Sequence, residues 1–155
     1  MDSKQILIAD DHRSTRQAMK LYLETIFSEV EIWEARNGYE ALDLVTGKLP
    51  DLILMDFDMP NLDGRQATQQ IKAGWPQVKI IVLIMTENQR QAALGAGANT
   101  CLFKGGQPEK LREAMLVLLP DIHPAQAAEN SGVTDDSVED DDKAERLGTT
   151  PEKSG

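Results

Sequence analysis

Three short apolar runs, each followed by polar residues, constrain the fold of this chain more than any other feature. "ILIA" ends at Ala9, "LILM" covers 52–55 and "IIVLI" covers 80–84. A strand that is apolar on both sides must be covered on both faces, which is the condition of a strand inside a parallel sheet. The runs are far shorter than the roughly 20 residues that cross a bilayer. They therefore predict a buried parallel sheet.

Strand and helix patterns alternate along residues 1–120. Strands are predicted at 4–9, 29–35, 51–55, 79–84 and 100–103. The second strand alternates polar and apolar residues, so we expect it at an edge of the sheet. The first helix carries an apolar stripe at Ala18, Leu21, Tyr22 and Ile26. Pro108 opens the last helix and Pro120 ends it. Five strands with five helices and short loops predict a doubly wound α/β sandwich.

Charged residues stand where the first, third and fifth strands end. Asp10 and Asp11 follow the first strand, Asp56 follows the third and Lys104 follows the fifth. Open parallel sheets bind ligands at the carboxyl ends of their strands, so we expect these groups to converge. The loop after the first strand has no glycine, which argues against a dinucleotide or phosphate-binding loop. His12 comes next and is near enough in sequence to touch the metal edge, but we favour an exposed position in a loop or at a helix start.

A cluster of carboxylates beside an ammonium favours metal-assisted chemistry on a phosphate. Clustered carboxylates repel one another, and a hard divalent ion such as Mg²⁺ relieves the repulsion by taking oxygen ligands. Asp56 is then able to attack phosphorus and form an aspartyl phosphate, while the metal and Lys104 neutralise the transferred oxygens. Helix capping explains Asp10 or Asp11 taken alone, but it does not explain the four groups together.

Three motifs together resemble the receiver domain of two-component response regulators. They are "ILIADDH" for the acid pair, "LILMDFDMPNLDG" around Asp56, and "GANTCLFK", which ends in Lys104. The resemblance covers about residues 4–119. It implies a flavodoxin-like (βα)5 fold with a five-stranded parallel sheet, and a role in bacterial two-component signal transduction.

The resemblance also implies a role for each matched residue. Asp56 is the expected phosphoacceptor, and Lys104 pairs with the phosphoryl group. Mg²⁺ is expected on Asp11, Asp56 and the backbone carbonyl of Asp58, and Asp10 supports the metal through water. A sensor histidine kinase or a histidine phosphotransfer protein supplies the phosphoryl group, and the stand-alone receiver signals through protein–protein contacts. Self-phosphotransfer is the one reaction expected, since no lid or pocket for a separate small-molecule substrate is recognised.

Two positions depart from the family pattern. The family has Ser or Thr at the end of the fourth strand, where the alignment places Ile84, and Thr86 is the alternative switch hydroxyl if the loop bends back. Cys101 replaces an aromatic residue, and we interpret it as a small buried hydrophobe. The stretch 84–97 is short, which predicts a reduced fourth helix. These departures motivate an alternative function, a receiver-like interaction module whose partner binding is largely independent of phosphorylation.

Composition separates residues 121–155 from the rest of the chain. This segment holds seven of the ten net negative charges and no aromatic residue, so we predict a disordered acidic tail behind a receiver domain at 1–120. The net charge of −10 argues against a nucleic-acid partner, which needs a basic surface. No signal peptide or membrane segment is predicted, and a single cysteine fits a reducing compartment. We therefore expect a cytoplasmic protein.

Overall fold

The structure is a computed structural model, and it describes residues 3–125. The elements are β1 (Lys4–Ala9), α1 (Arg13–Ile26), β2 (Phe27–Ser28), β3 (Val30–Ala35), α2 (Gly38–Lys48), β4 (Leu52–Asp56), α3 (Gly64–Gly74), β5 (Lys79–Ile84), α4 (Glu87–Gly95), β6 (Thr100–Phe103), α5 (Pro108–Leu118) and β7 (His123–Pro124). The five predicted strands correspond to β1, β3, β4, β5 and β6, each within one residue of its predicted bounds.

The strand order of the main sheet changes direction between β1 and β4. The order is β3-β1-β4-β5-β6, and every neighbouring pair is parallel. The chain adds β3 on one side of β1 and then continues with β4 on the other side. The ends of β1 and β4 therefore border the switch point, where open α/β sheets bind ligands. β3 lies at an edge, as its alternating sequence predicts, and the doubly wound, flavodoxin-like fold is confirmed.

Different helices cover the two faces of this sheet. α2, α3 and α4 cover one face and bury Val45, Ile71 and Ala93 against it. α1 and α5 cover the other face and bury Leu23 and Met115. Successive residues of a strand point to opposite faces, so the central strands must be apolar at every position. Each aliphatic side chain buried in this way stabilises the fold by about 1.5–3 kcal/mol.

The buried side of α1 is rotated away from the predicted stripe. Leu21 is 67% exposed and Ala18 is also exposed, whereas Arg16, Leu23 and Ile26 are buried. The predicted stripe is therefore wrong at Leu21 and Ala18. A charged residue, Arg16, occupies the inner side of the helix, and a stripe built from apolar residues alone leaves it out.

Residues 121–125 pack on the domain. Ile122 is buried in the apolar cluster beneath α1 and α5, and β7 pairs antiparallel with β2. Asp121 forms a 2.9 Å ion pair with Lys4, and the Ala125 amide donates to the Ile26 carbonyl. These contacts continue past the predicted boundary at residue 120. The rest of the predicted tail, 126–155, lies outside the described residues.

α4 is the shortest of the five helices in the described part of the chain, with nine residues against eleven or more in the others. This agrees with the short stretch between residues 84 and 97. Within residues 3–125, no helix is long and apolar enough to cross a membrane.

Candidate functional site

Asp56 is a charged residue at the end of a fully buried strand. It is only 2% exposed, because the four apolar residues before it place β4 in the centre of the sheet. Its Oδ2 accepts a 2.9 Å hydrogen bond from Lys104 Nζ, and its Oδ1 accepts a longer one, 3.3 Å, from the Asp58 amide. Burial raises the pKa of Asp56, the Lys104 hydrogen bond lowers it and nearby Asp10 raises it again, and the net direction is upward. A cation beside the carboxylate would relieve this penalty.

Lys104 joins the ends of three strands. It follows β6, and its Nζ lies 2.9 Å from Oδ2 of both Asp10 and Asp56. Burial favours the neutral amine, but the contacts with Asp56 and Asp10 outweigh it and raise the pKa of Lys104. The side chain therefore remains an ammonium at neutral pH. The convergence predicted for Asp10, Asp56 and Lys104 is what the structure shows.

Four residues at this edge form a group suited to a divalent metal. Asp10, Asp11, His12 and Asp56 each offer a ligand atom, and these atoms lie within 4.8 Å of one another. Asp10 Oδ2 is buried, and its contact with Lys104 lacks hydrogen-bond geometry, so this oxygen has capacity for a further partner. Three carboxylates are the donors that a hard divalent ion prefers. The donor set therefore fits the metal site expected from the sequence.

The Asp58 side chain is not part of this group. It is exposed and accepts hydrogen bonds of 3.0 and 3.1 Å from Nε2 of Gln89 in α4. The sequence analysis expects only the backbone carbonyl of Asp58 to contact the metal, and a side chain turned toward α4 is compatible with that expectation.

Gly64 explains why α3 is able to start directly beside Asp56. A Cβ atom at Gly64 would collide with the carbonyl oxygen of Asp56 and would lie 2.8 Å from the Phe57 Cα. The Gly64 amide also donates a 2.9 Å hydrogen bond to the Phe57 carbonyl. Asp63 and Gln66 complete the helix start with reciprocal capping bonds. The glycine of the "MPNLDG" stretch therefore fixes the loop that follows the Asp56 strand.

The two candidate switch positions have different surroundings. Ile84 is fully buried in the apolar cluster beneath α2, α3 and α4. Thr86 is exposed two residues later, at the N-cap of α4, where its hydroxyl accepts a 3.2 Å hydrogen bond from the Gln89 amide. Cys101 is also buried in the cluster with Ile84, and burial raises the pKa of its thiol. Ile84 and Cys101 therefore have packing roles, and the hydroxyl at this strand end belongs to Thr86.

Arg16 is a site residue that the sequence analysis leaves out. One terminal nitrogen donates a 2.7 Å hydrogen bond to the Asp10 carbonyl, and Nε donates a 2.8 Å bond to Glu34 of β3. The guanidinium is buried and thus fixes the backbone of the acid pair between two strands. The sequence spacing offered one indication of this role: Arg16 is seven positions before Leu23 and therefore lies on the same side of the helix.

The fold and the site together define an open α/β domain that carries an acidic, metal-compatible pocket at its switch point. A family model described as the response regulator receiver domain matches residues 6–116, which is more than half of the chain. The chain therefore belongs to the receiver domain family of two-component response regulators.

Individual relatives agree with this assignment. The transcriptional regulatory protein YhcZ of Bacillus subtilis is 38% identical over 109 residues, which cover 69% of this chain and 51% of that protein. The chemotaxis protein CheY4 of Vibrio cholerae has a similar structure, with a TM-score of 0.68 and 25% identity over 76% of this chain and 99% of CheY4. The receiver domain of Saccharomyces cerevisiae Ssk1, solved with the histidine phosphotransfer protein Ypd1, shares the fold with a TM-score of 0.68 and 22% identity over 74% of this chain and 88% of that one. The chain spans about half the length of the curated relatives it matches.

Proposed function

We propose that Asp56 accepts a phosphoryl group in a Mg²⁺-dependent reaction and that the chain then signals through protein–protein contacts. Membership of the receiver family supports the reaction. The observation that carries the proposal is the Asp56 carboxylate, buried at the switch point of the sheet and held 2.9 Å from Lys104. A carboxylate buried beside an ammonium and two further acids adds little to the stability of the fold, so its position indicates a functional role.

The proposed reaction assigns each group of the site one task. An Asp56 oxygen attacks phosphorus while the bond from phosphorus to the donor nitrogen breaks, so the donor histidine leaves. Lys104 pairs with the transferred phosphoryl oxygens. Asp11, Asp56 and the Asp58 carbonyl would hold the ion, and Asp10 would support it through water. Mg²⁺, when bound, supplies neutralisation of the negative charge on the phosphoryl group.

The proposed phosphoryl donor is a sensor histidine kinase or a histidine phosphotransfer protein. The Ssk1 receiver domain, which shares the fold, has been solved with such a phosphotransfer protein. The net charge of −10 supports a protein partner over nucleic acid. We also propose a cytoplasmic location, because a single cysteine suits a reducing compartment. The phosphorylation-independent alternative was motivated by Ile84 and Cys101, and both residues are buried in the apolar cluster, so no observation favours it over the first proposal.

Incubation with acetyl phosphate and Mg²⁺, followed by intact-mass measurement, tests the proposed reaction. We expect the mass of one phosphoryl group to be added, to be lost in mild base, and to be absent in EDTA or in Asp56→Asn. Asp58→Asn is the matched control, because Asp58 is exposed and keeps its backbone carbonyl. We expect this variant to be phosphorylated. Labelling on Ser or Thr, or equal labelling in EDTA, would refute the assignment of Asp56.

We also propose that the chain consists of a receiver domain followed by an acidic tail, with the folded part continuing to residue 125. Two truncations test the boundary. A chain ending at residue 125 keeps Ile122 in its buried position and should unfold at an unchanged temperature. A chain ending at residue 120 loses that side chain, so it should lose roughly 1.5–3 kcal/mol in free energy of unfolding. Equal stability of the two chains would place the boundary at residue 120.

A further inference from the structure

His12 occupies the N-cap position of α1 without capping the helix. Short polar side chains are preferred at this position because they accept a hydrogen bond from a free helical N–H group, and His12 accepts none. Its ring turns instead toward the acid pair. His12 Nδ1 lies 3.2 Å from Oδ1 of Asp10 and 3.2 Å from Oδ1 of Asp11. The imidazole is therefore directed at the acidic pocket.

The His12 nitrogen belongs to the same set of ligand atoms as the three carboxylates. Its Nδ1 and one oxygen each from Asp10, Asp11 and Asp56 lie within 4.8 Å of one another. The charge of the pocket also favours a cation, since the single ammonium of Lys104 contacts two buried carboxylates, Asp10 and Asp56, and its 2.9 Å contact with Asp10 Oδ2 is not a hydrogen bond. The His12 ring is 64% exposed, so it is free to exchange its carboxylate contacts for a metal. An ion held by this group would take the His12 nitrogen together with carboxylate oxygens.

We infer that His12 is a nitrogen ligand that makes this pocket select first-row transition-metal ions over Mg²⁺. Mg²⁺ takes oxygen ligands and gains little from an imidazole. Ni²⁺ and Zn²⁺ are well suited to imidazole and bind mixed nitrogen and oxygen sites more tightly. The inference rests on the proposed function only in that both use the same acidic pocket. It adds a specificity residue that the carboxylates and Lys104 do not supply.

Titration calorimetry with Ni²⁺ alone and with Mg²⁺ alone, on the full chain, tests the inference. His12→Asn removes the imidazole and keeps a polar side chain at the helix start. We expect it to weaken Ni²⁺ binding about tenfold or more, while Mg²⁺ binding changes less than about twofold. His123→Ala is the matched control, because His123 is the other histidine of the chain and lies on β7, away from the pocket. We expect it to change neither affinity.

A second measurement identifies the ligand directly. Paramagnetic Ni²⁺ should broaden the ring proton signals of His12 before those of His123 in NMR spectra of the unmodified chain. Unchanged Ni²⁺ affinity in His12→Asn, or a loss of affinity in His123→Ala, would overturn the inference. If His12→Asn keeps its Ni²⁺ affinity and is still phosphorylated with Mg²⁺, the inference fails while the proposed function stands. Absence of Mg²⁺-dependent phosphorylation in the unmodified chain would instead count against the proposed function.

Discussion

The neighbouring strands β4 and β5 end side by side at the same edge of the sheet, but they end differently. Asp56 pairs in register with Leu83, so the two ends lie level. β4 ends in a buried charge, whereas β5 ends in the buried, apolar Ile84 and exposes Met85 and Thr86 beyond it. A buried carboxylate has few structural explanations, so it reveals a site. A threonine at a helix start has a common structural role, so it does not.

The largest effect is expected from Ile84→Thr, which tests whether β5 ends in the core. The substitution removes buried methyl surface and places a hydroxyl where the side chain is fully buried. Loss of a methylene costs about 0.5–1.5 kcal/mol, and an unsatisfied buried hydroxyl costs about 1–3 kcal/mol more. We expect the free energy of unfolding in urea to fall by roughly 2–4 kcal/mol.

Ile84→Val is the control for this prediction, because it removes the same methylene without adding a hydroxyl. It should cost only about 0.5–1.5 kcal/mol. If Ile84→Thr is as stable as Ile84→Val, the new hydroxyl has found a polar partner. In that case the end of β5, like the end of β4, is able to hold a polar group. The alignment that places Ile84 at the switch position would then regain support.

The next effect has the opposite sign and concerns Asp56. In EDTA, Asp56→Asn should raise the unfolding temperature at neutral pH, because the net direction of the Asp56 pKa is upward. An acid with a higher pKa in the folded state binds more protons when folded, so its contribution lowers stability as pH rises through the interval between its unfolded and folded pKa values. The penalty is complete above that interval. Asparagine does not ionise and avoids it.

Thermal unfolding at several pH values checks this prediction. The advantage of Asp56→Asn should shrink as the pH falls toward the ordinary aspartate pKa of 3.8 and below it. Asp58→Asn controls for the loss of one negative charge near the pocket, and we expect a smaller change because Asp58 is exposed. If Asp56→Asn is destabilising at neutral pH, the ion pair with Lys104 outweighs the burial of Asp56, and its carboxylate is stabilised without a metal.

Most of the fold was predictable because it depends on continuous apolar runs. The runs at β1, β4 and β5 fit only a sheet covered on both faces, and the alternation of β3 fits its edge position. The short pairing of β2 with β7 was not predictable, since two-residue strands leave no periodic signal. The inner side of α1 was also missed, because the buried Arg16 interrupts an apolar stripe that would otherwise include Leu23.

The candidate site was predictable where its residues lie at the ends of strands, because the strand determines their position. Asp10 and Lys104 each follow a strand directly and Asp56 is the last residue of one, and parallel strands bring such residues together. The orientation of His12 was not predictable, because it depends on the backbone angles of a helix start. The partners of Thr86 depend in the same way on how the loop after β5 turns, which residue spacing does not specify.

A smaller effect is expected from Thr86→Ala. The variant loses the N-cap hydrogen bond to the Gln89 amide, so it should lose about 1 kcal/mol in free energy of unfolding. We also propose Thr86 as the switch hydroxyl. When beryllofluoride and Mg²⁺ bind, the amide chemical shifts around α4 should therefore change less in Thr86→Ala than in the unmodified chain. Thr86→Ser should restore both properties, because serine keeps the hydroxyl. A normal beryllofluoride response in Thr86→Ala would limit Thr86 to capping.

The smallest effect on stability is expected from Gln89→Ala. This variant removes the hydrogen bonds that link the loops after β4 and β5. Gln89 Nε2 donates to both Asp58 carboxylate oxygens, and its Oε1 accepts a 2.6 Å hydrogen bond from the Met85 amide. The residue therefore joins the loop after β4 to the loop after β5. These bonds are exposed, so their loss should change the free energy of unfolding by no more than about 0.5 kcal/mol.

The effect of Gln89→Ala should instead be local and visible in amide chemical shifts. We expect the signals of Asp58 and Met85 to move together, since both lose a partner on the same side chain. Gln91→Ala is the matched control, because Gln91 is exposed on the same helix and makes neither contact. If the Asp58 signal keeps its position in Gln89→Ala, the two loops are not joined in solution. The end of β5 would then respond to events at Asp56 only through the sheet itself.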